Sequence, residues 1–242
     1  MLYELTGFSD GGDVFNLFRY ITFRAGGAFF TALIFGFIFG RPLINLLRRR
    51  QKHGQPIRDD GPESHMVTKA GTPTMGGLLI LSAVVVSTLL WARWDNGFVW
   101  LVLFVTASFG LIGFADDYAK VSKNNTKGVS GRIRMGIGII VALIAGYWAM
   151  FMHATIDADL LARNPDHLAL SGRLALPVLK DVLLNLGLVF VPFAMLVIVG
   201  SANSVNLTDG LDGLAIMPVM IAAGAQDGRD CALAGPRQSS HA

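Results

Sequence analysis

Two adjacent carboxylates, Asp116 and Asp117, with Lys120 close behind them, stand where a long apolar run, Phe98 to Ala115, meets water. Charges at such a boundary are costly unless a cation, a lysine or solvent neutralises them. Asp116 and Lys120 are four residues apart, so a helix continuing through them brings both onto one face. Carboxylates beside lysines are residue types that hold a divalent cation and a phosphate. Taken alone, Phe114–Lys120 reads as an ordinary charged helix end.

Two further stretches carry polar groups at regular spacing. In Ser201–Gly213, the residues Asn203, Asn206, Asp209 and Asp212 recur every three positions. On an ideal α-helix such neighbours lie about 60° apart, so the four spiral round half the helix unless it tightens or breaks. Gly210 and Gly213 supply a break and allow close approach to the backbone. A helix starting at Leu211 would point free amides at an anion. Four polar side chains without Lys or Glu to solvate them favour a site over an Asn/Asp/Gly turn. In Lys69–Gly77, Thr72 and Pro73 suit a helix start, and the glycines with free amides near Lys69 suit an anion cradle. That signal is weak, since glycines at a helix start more often serve packing.

These stretches are positioned by apolar blocks. Hydrophobic residues make up 52% of the 242-residue chain and charged residues only 15%, and the mean hydropathy is +0.52. Such a balance describes a membrane protein, where a soluble domain carries about a quarter charged residues. Five blocks are long enough to be helices across a bilayer: Ala25–Leu47, Met75–Ala92, Phe98–Ala115, Met135–Met152 and Val182–Ala202. The expected fold is therefore an all-α polytopic membrane protein. The short link Arg93–Gly97 makes the second and third blocks a hairpin.

Loop charges set the orientation. Arg41, near the end of the first block, and Arg48, Arg49, Arg50, Lys52, Arg58 and Lys69 after it are basic, and Lys120, Lys123, Lys127, Arg132 and Arg134 follow the third. The amino-terminal tail and the Arg93–Gly97 link are poor in bases. The amino terminus is expected outside and the basic loops inside, with Lys69–Gly77, Asp116–Lys120 and Asn203–Gly213 gathered at one cytoplasmic face. Met1–Tyr20 lacks the basic start and cleavage site of a signal peptide. One cysteine, Cys231, excludes a disulfide framework, and no histidine pair has the spacing of a zinc site. Neither a Gly-x-Ser-x-Gly elbow nor a Walker-type loop is present.

With the three motifs in view, KAGTPTMGG at 69–77, FADDYAK at 114–120 and NSVNLTDGLDGLA at 203–215, the chain resembles the bacterial phospho-N-acetylmuramoyl-pentapeptide transferases. The resemblance covers Met1 to about Ala223. It implies an inner-membrane, multi-pass enzyme that uses Mg²⁺. The reaction moves phospho-MurNAc-pentapeptide from UDP-MurNAc-pentapeptide onto undecaprenyl phosphate, giving lipid I and UMP. The implied partners are these two substrates and the lipid bilayer, with no nucleic acid, and the family is often dimeric, which allows a homodimer. Asp116 then matches a catalytic carboxylate that acts on the lipid phosphate, and Asp117 its neighbour near the metal; both are expected Mg²⁺ ligands. Lys69, Gly210, Leu211 and Asp212 match uridine-pocket positions. Asn203, Asn206 and Asp209 match residues lining the same cleft, Lys120 a phosphate-side base, and Thr74 a substrate-binding position.

Some departures accompany the match. The sixth apolar block, Leu214–Ala223, stops early, and 224–242 has a different, polar composition. The family's further metal-binding aspartate and its histidine cluster are not in this sequence. The expectation is a truncated or frame-shifted end, a disordered tail and little activity for the chain as written. Other readings are a sister transferase that takes UDP-GlcNAc, and a non-catalytic membrane fragment. An ion-coupled transporter would need midplane charges and internal repeats, and neither is found.

Overall fold

A computed structural model describes residues 1–8, 13–51, 75–123, 128–151, 173–176 and 179–208. Lys69, Thr74, Asp209, Gly210, Leu211, Asp212, the sixth apolar block and the 224–242 tail lie outside the described residues.

Two 3₁₀ turns, Leu2–Phe8 and Val14–Arg19, precede α1, Ile21–Arg50. Then come α2 (Gly77–Trp91), α3 (Gly97–Lys123) and α4 (Gly131–Phe151). A two-stranded antiparallel sheet, β1 (Arg173–Leu176) with β2 (Leu179–Asn185), leads through a 3₁₀ turn at Gly187–Val189 into α5, Phe190–Thr208. The α2–α3 hairpin is closed by local chemistry: the Phe98 N–H donates to Asn96 Oδ1 at 2.9 Å, so Asn96 caps the start of α3.

Four stretches are long and apolar enough to cross a membrane: Ile21–Arg50, Gly97–Ser122, Gly131–Phe151 and Gly187–Asn206. Two sequence expectations need correction. The Met75–Ala92 block forms a helix of only 15 residues. At 1.5 Å per residue it spans about 22 Å, against a hydrocarbon core of about 30 Å, so among the described residues it is a shorter apolar helix beside the four long ones. The Val182–Ala202 block is also not one helix: Val182–Asn185 belongs to β2, paired in register Arg173↔Asn185 and Ala175↔Leu183. An apolar run alone does not separate strand from helix. The break comes at Gly187, whose φ of +49° turns the chain and whose N–H donates to Asn185 Oδ1 at 3.1 Å. The hairpin is an exception to an otherwise helical architecture.

Packing is that of a membrane bundle. The buried positions are mostly small, Ala83, Ala142 and Ala145 among them, while Phe37 is 76% exposed, Ile80 68% and Val102 62%. Large apolar side chains face outward and small ones let the backbones approach, as lipid-embedded helices require. Gly146 shows the limit: a Cβ there would lie 3.1 Å from the Val191 carbonyl oxygen and 3.2 Å from Ala194 Cβ.

The contact pairs fix how the helices run. Gly40 faces Leu79 and Gly27 faces Trp91, so α1 and α2 are antiparallel. Phe104 meets Trp148 and Phe109 meets Gly138, so α3 and α4 are antiparallel. Gly146, late in α4, meets Val191 and Ala194, early in α5. With the α2–α3 hairpin, these pairings bring one set of helix ends together. That set is the carboxyl ends of α1, α3 and α5 and the amino ends of α2 and α4.

Candidate functional site

The shared end carries the polar residues. Helix α3 does continue past its apolar run, so Asp116 and Lys120 share a face, and Lys120 Nζ lies 2.6 Å from Asp116 Oδ2. Asp116 is only 6% exposed. A carboxylate so enclosed needs donors, and it has them from two directions. The Val129 N–H donates to Asp116 Oδ1 at 2.8 Å, and Arg134 Nη1, from the first turn of α4, stands 3.8 Å from Oδ2. Asp117, one residue on, is about 100° round the helix. Its side chain is 34% exposed, and Lys120 Nζ approaches its Oδ1 only to 3.6 Å.

The turn that delivers Val129 depends on Gly128. Its φ is +57°, and a Cβ there would meet Asp116 Oδ1 at 2.5 Å and Lys120 Cε at 2.9 Å. Only glycine lets the loop close over the carboxylate. Gly128, the Val129 amide and Arg134 were not singled out as site residues from the sequence. The available signal was the Gly after Lys127 and the basic residues opening the fourth block, which serve equally as a loop and a topology marker.

Asn203 and Asn206 lie near the carboxyl end of α5, the end shared with Asp116. Asn203 is half-buried and its Nδ2 donates to the Val199 carbonyl at 2.8 Å, an intrahelical bond, while Asn206 is exposed. Among the described residues, no hydrogen bond or ion pair joins either asparagine to Asp116. The structure thus assembles Asp116, Asp117 and Lys120 directly, and sets Asn203 and Asn206 at the same end without contact.

The donor set can be tested against a magnesium ion. Hard carboxylate oxygens suit it, and Mg²⁺ is commonly held by one or two carboxylates with substrate phosphates supplying the rest. Asp116 has both oxygens engaged by a lysine, an amide and an arginine, so it fits poorly in this arrangement. Asp117, the more exposed of the two carboxylates, fits. No group of three potential metal ligands occurs among the described residues.

Comparison with known proteins follows the same geography. The model of "Glycosyl transferase family 4" matches residues 99–226, which takes in α3, α4, α5 and the carboxylate pair. That is more than half of the chain. The chain belongs to glycosyl transferase family 4. A signature of phospho-N-acetylmuramoyl-pentapeptide-transferase matches residues 69–81, the approach to α2 and its first turns. Curated relatives carry the same name. One from Dinoroseobacter shibae is 71% identical over 224 residues, covering 93% of this chain and 58% of the relative. One from Ruegeria pomeroyi is 70% identical over 223 residues, covering 92% and 58%. The chain therefore spans about 58% of the length of these relatives. This family 4 chain is a multi-pass membrane protein by its helices.

Proposed function

We propose that the chain carries the phosphate-transfer site of a phospho-N-acetylmuramoyl-pentapeptide transferase. The reaction joins UDP-MurNAc-pentapeptide and undecaprenyl phosphate to give lipid I and UMP. The observation that carries this reading is about 70% identity to enzymes of that name across more than nine-tenths of the chain. The geometry supports it. A phosphate-transfer site between water and lipid needs cations at a membrane rim, and Lys120 and Arg134 stand there around one enclosed carboxylate.

The chemistry is an in-line displacement. An oxygen of the lipid phosphate forms a bond to the sugar-bearing phosphorus, the bridging P–O bond breaks, and UMP leaves with the electron pair. Lys120 and Arg134 neutralise charge on the phosphate oxygens. Asp116 keeps these two cations at one point and holds the Gly128–Ser130 turn through the Val129 amide. Asp117 would hold Mg²⁺ together with substrate oxygens; when bound, the ion neutralises developing phosphate charge. Phe114 and Tyr118 stack at 6.2 Å between centroids and are both exposed, an apolar surface beside the carboxylates suited to a prenyl chain.

The bundle end bearing Asp116 faces the cytoplasm of an inner membrane in this reading. Arg48, Arg49 and Arg50 end α1 there, and Lys120, Arg132 and Arg134 lie at the same bundle end, whereas the α2–α3 link balances Arg93 against Asp95.

The test is a chimera in which the matched residues of this chain replace those of the Dinoroseobacter shibae relative, giving a chain of full length. UMP release in the presence of undecaprenyl phosphate and Mg²⁺ is followed with each UDP-sugar. Release with UDP-MurNAc-pentapeptide and not with UDP-GlcNAc is expected. Release with UDP-GlcNAc alone would assign the site to the sister reaction.

A further inference from the structure

The opposite end of the bundle holds a second cationic feature, and nothing in the transfer reaction uses it. Arg24 sits in the first turn of α1, and its guanidinium carbon lies 5.0 Å from the centroid of the Tyr3 ring. Arg93, in the α2–α3 link, approaches the same ring at 4.7 Å. The two cations differ in their partners. Arg93 is paired through two nitrogens with Asp95, Nε at 3.1 Å from Oδ1 and Nη2 on Oδ2. Arg24 Nε is shut away from solvent with no hydrogen-bond partner, and among the described residues no ion pair reaches this guanidinium. The Asp95 carboxyl is held below the usual carboxylate range, first by its hydrogen bond from Arg93, with the charge of Arg24 the smallest of the causes. The aspartate therefore belongs to Arg93, and Arg24 acts on it only at a distance.

A guanidinium set over an aromatic ring, with no carboxylate paired to it among the described residues, keeps donors available for an anion. Its place at the amino end of α1 adds to the positive potential. Its surroundings say which anion. Trp91 stacks on Phe18 at 5.8 Å, and Trp94 meets Trp100 at 6.2 Å, so three indoles gather at this end. Tryptophans mark the depth of lipid headgroups, where the abundant anion is phosphate. The planar fork of arginine matches phosphate oxygens in pairs.

We propose that Arg24, with Tyr3 and Arg93 beside it, binds the headgroup phosphate of an anionic phospholipid in the leaflet at this end. The inference is independent of the reaction proposed above. The site lies about 28 Å along α3 from Asp116, since 19 residues separate Gly97 from it at 1.5 Å each.

The test is native mass spectrometry of the purified chain released from nanodiscs of mixed phosphatidylglycerol and phosphatidylcholine. The expected result is retention of phosphatidylglycerol over phosphatidylcholine, reduced about fivefold or more in Arg24→Gln. Asp95→Asn, which removes the negative charge paired with Arg93 beside the site, is expected to raise retention, so the two variants move in opposite directions. Inorganic phosphate added at millimolar concentration separates the sources: displacement of the lipid by phosphate alone would make this a free-anion site and overturn the lipid assignment. Equal retention of both lipids, or an unchanged preference in Arg24→Gln with Asp95→Asn also unchanged, would overturn the proposal altogether.

Discussion

Asp116 is the one buried ionisable residue among the described residues, and its surroundings are testable one side chain at a time. Its oxygens face Lys120, Arg134 and the Val129 amide inside a space that is nearly closed. Removing Lys120 alone leaves an enclosed carboxylate short of its nearest cation. Lys120→Gln is expected to cost about 2 kcal/mol, below the range for fully buried pairs because the lysine keeps partial solvent contact. Combining it with Asp116→Asn is expected to recover part of that loss. Thermal unfolding in detergent measures both, and additive losses would contradict the coupling. Gly128→Ala places a Cβ at a positive φ and against Asp116 Oδ1. The expected cost is about 1–3 kcal/mol, read by the same unfolding measurement. The Asp116–Lys120 pairing was legible from a spacing of four, given a helix that continues. Arg134 and the Val129 amide were not, because a loop closure depends on a backbone turn that spacing does not encode.

At the scale of elements, the helices follow from apolar runs, and the errors show where such runs mislead. Hydropathy placed a helix from Val182, yet Asn185 and Gly187 turn the chain and the strand before them pairs with Arg173–Leu176. Hydropathy also gave the second block its full length, whereas α2 begins at Gly77 and ends at Trp91. Helix contacts depend on small residues that hydropathy does not rank. Gly146→Val would press a branched side chain on the Val191 carbonyl and Ala194, separating α4 from α5. A loss of about 1–3 kcal/mol is expected, and wild-type stability in a detergent melt would refute the close packing described.

Across the whole molecule, the antiparallel helices place Asp116, Asp117, Lys120, Arg134, Asn203 and Asn206 at one end, and Arg24, Arg93 and three tryptophans at the other. That Asp116–Lys120 and the carboxyl end of α5 share one end was expected from the loop charges, since positive residues cluster after the first and third apolar blocks. The contacts among them were not, and Lys69, Thr74 and Asp209–Asp212 lie outside the described residues. Orientation is open to direct test. In a Cys231→Ser background, Arg49→Cys is expected to be shielded from an impermeant maleimide added to intact cells, and Asp95→Cys to be labelled. The reverse pattern would invert the bundle. The central claim, that the Asp116 end performs phosphate transfer, is tested most directly by UMP release from the full-length chimera carrying Asp117→Asn or Lys120→Gln. A fall of about a hundredfold or more in each, with folding retained, is the predicted result. Near-full turnover in both variants would place the chemistry elsewhere.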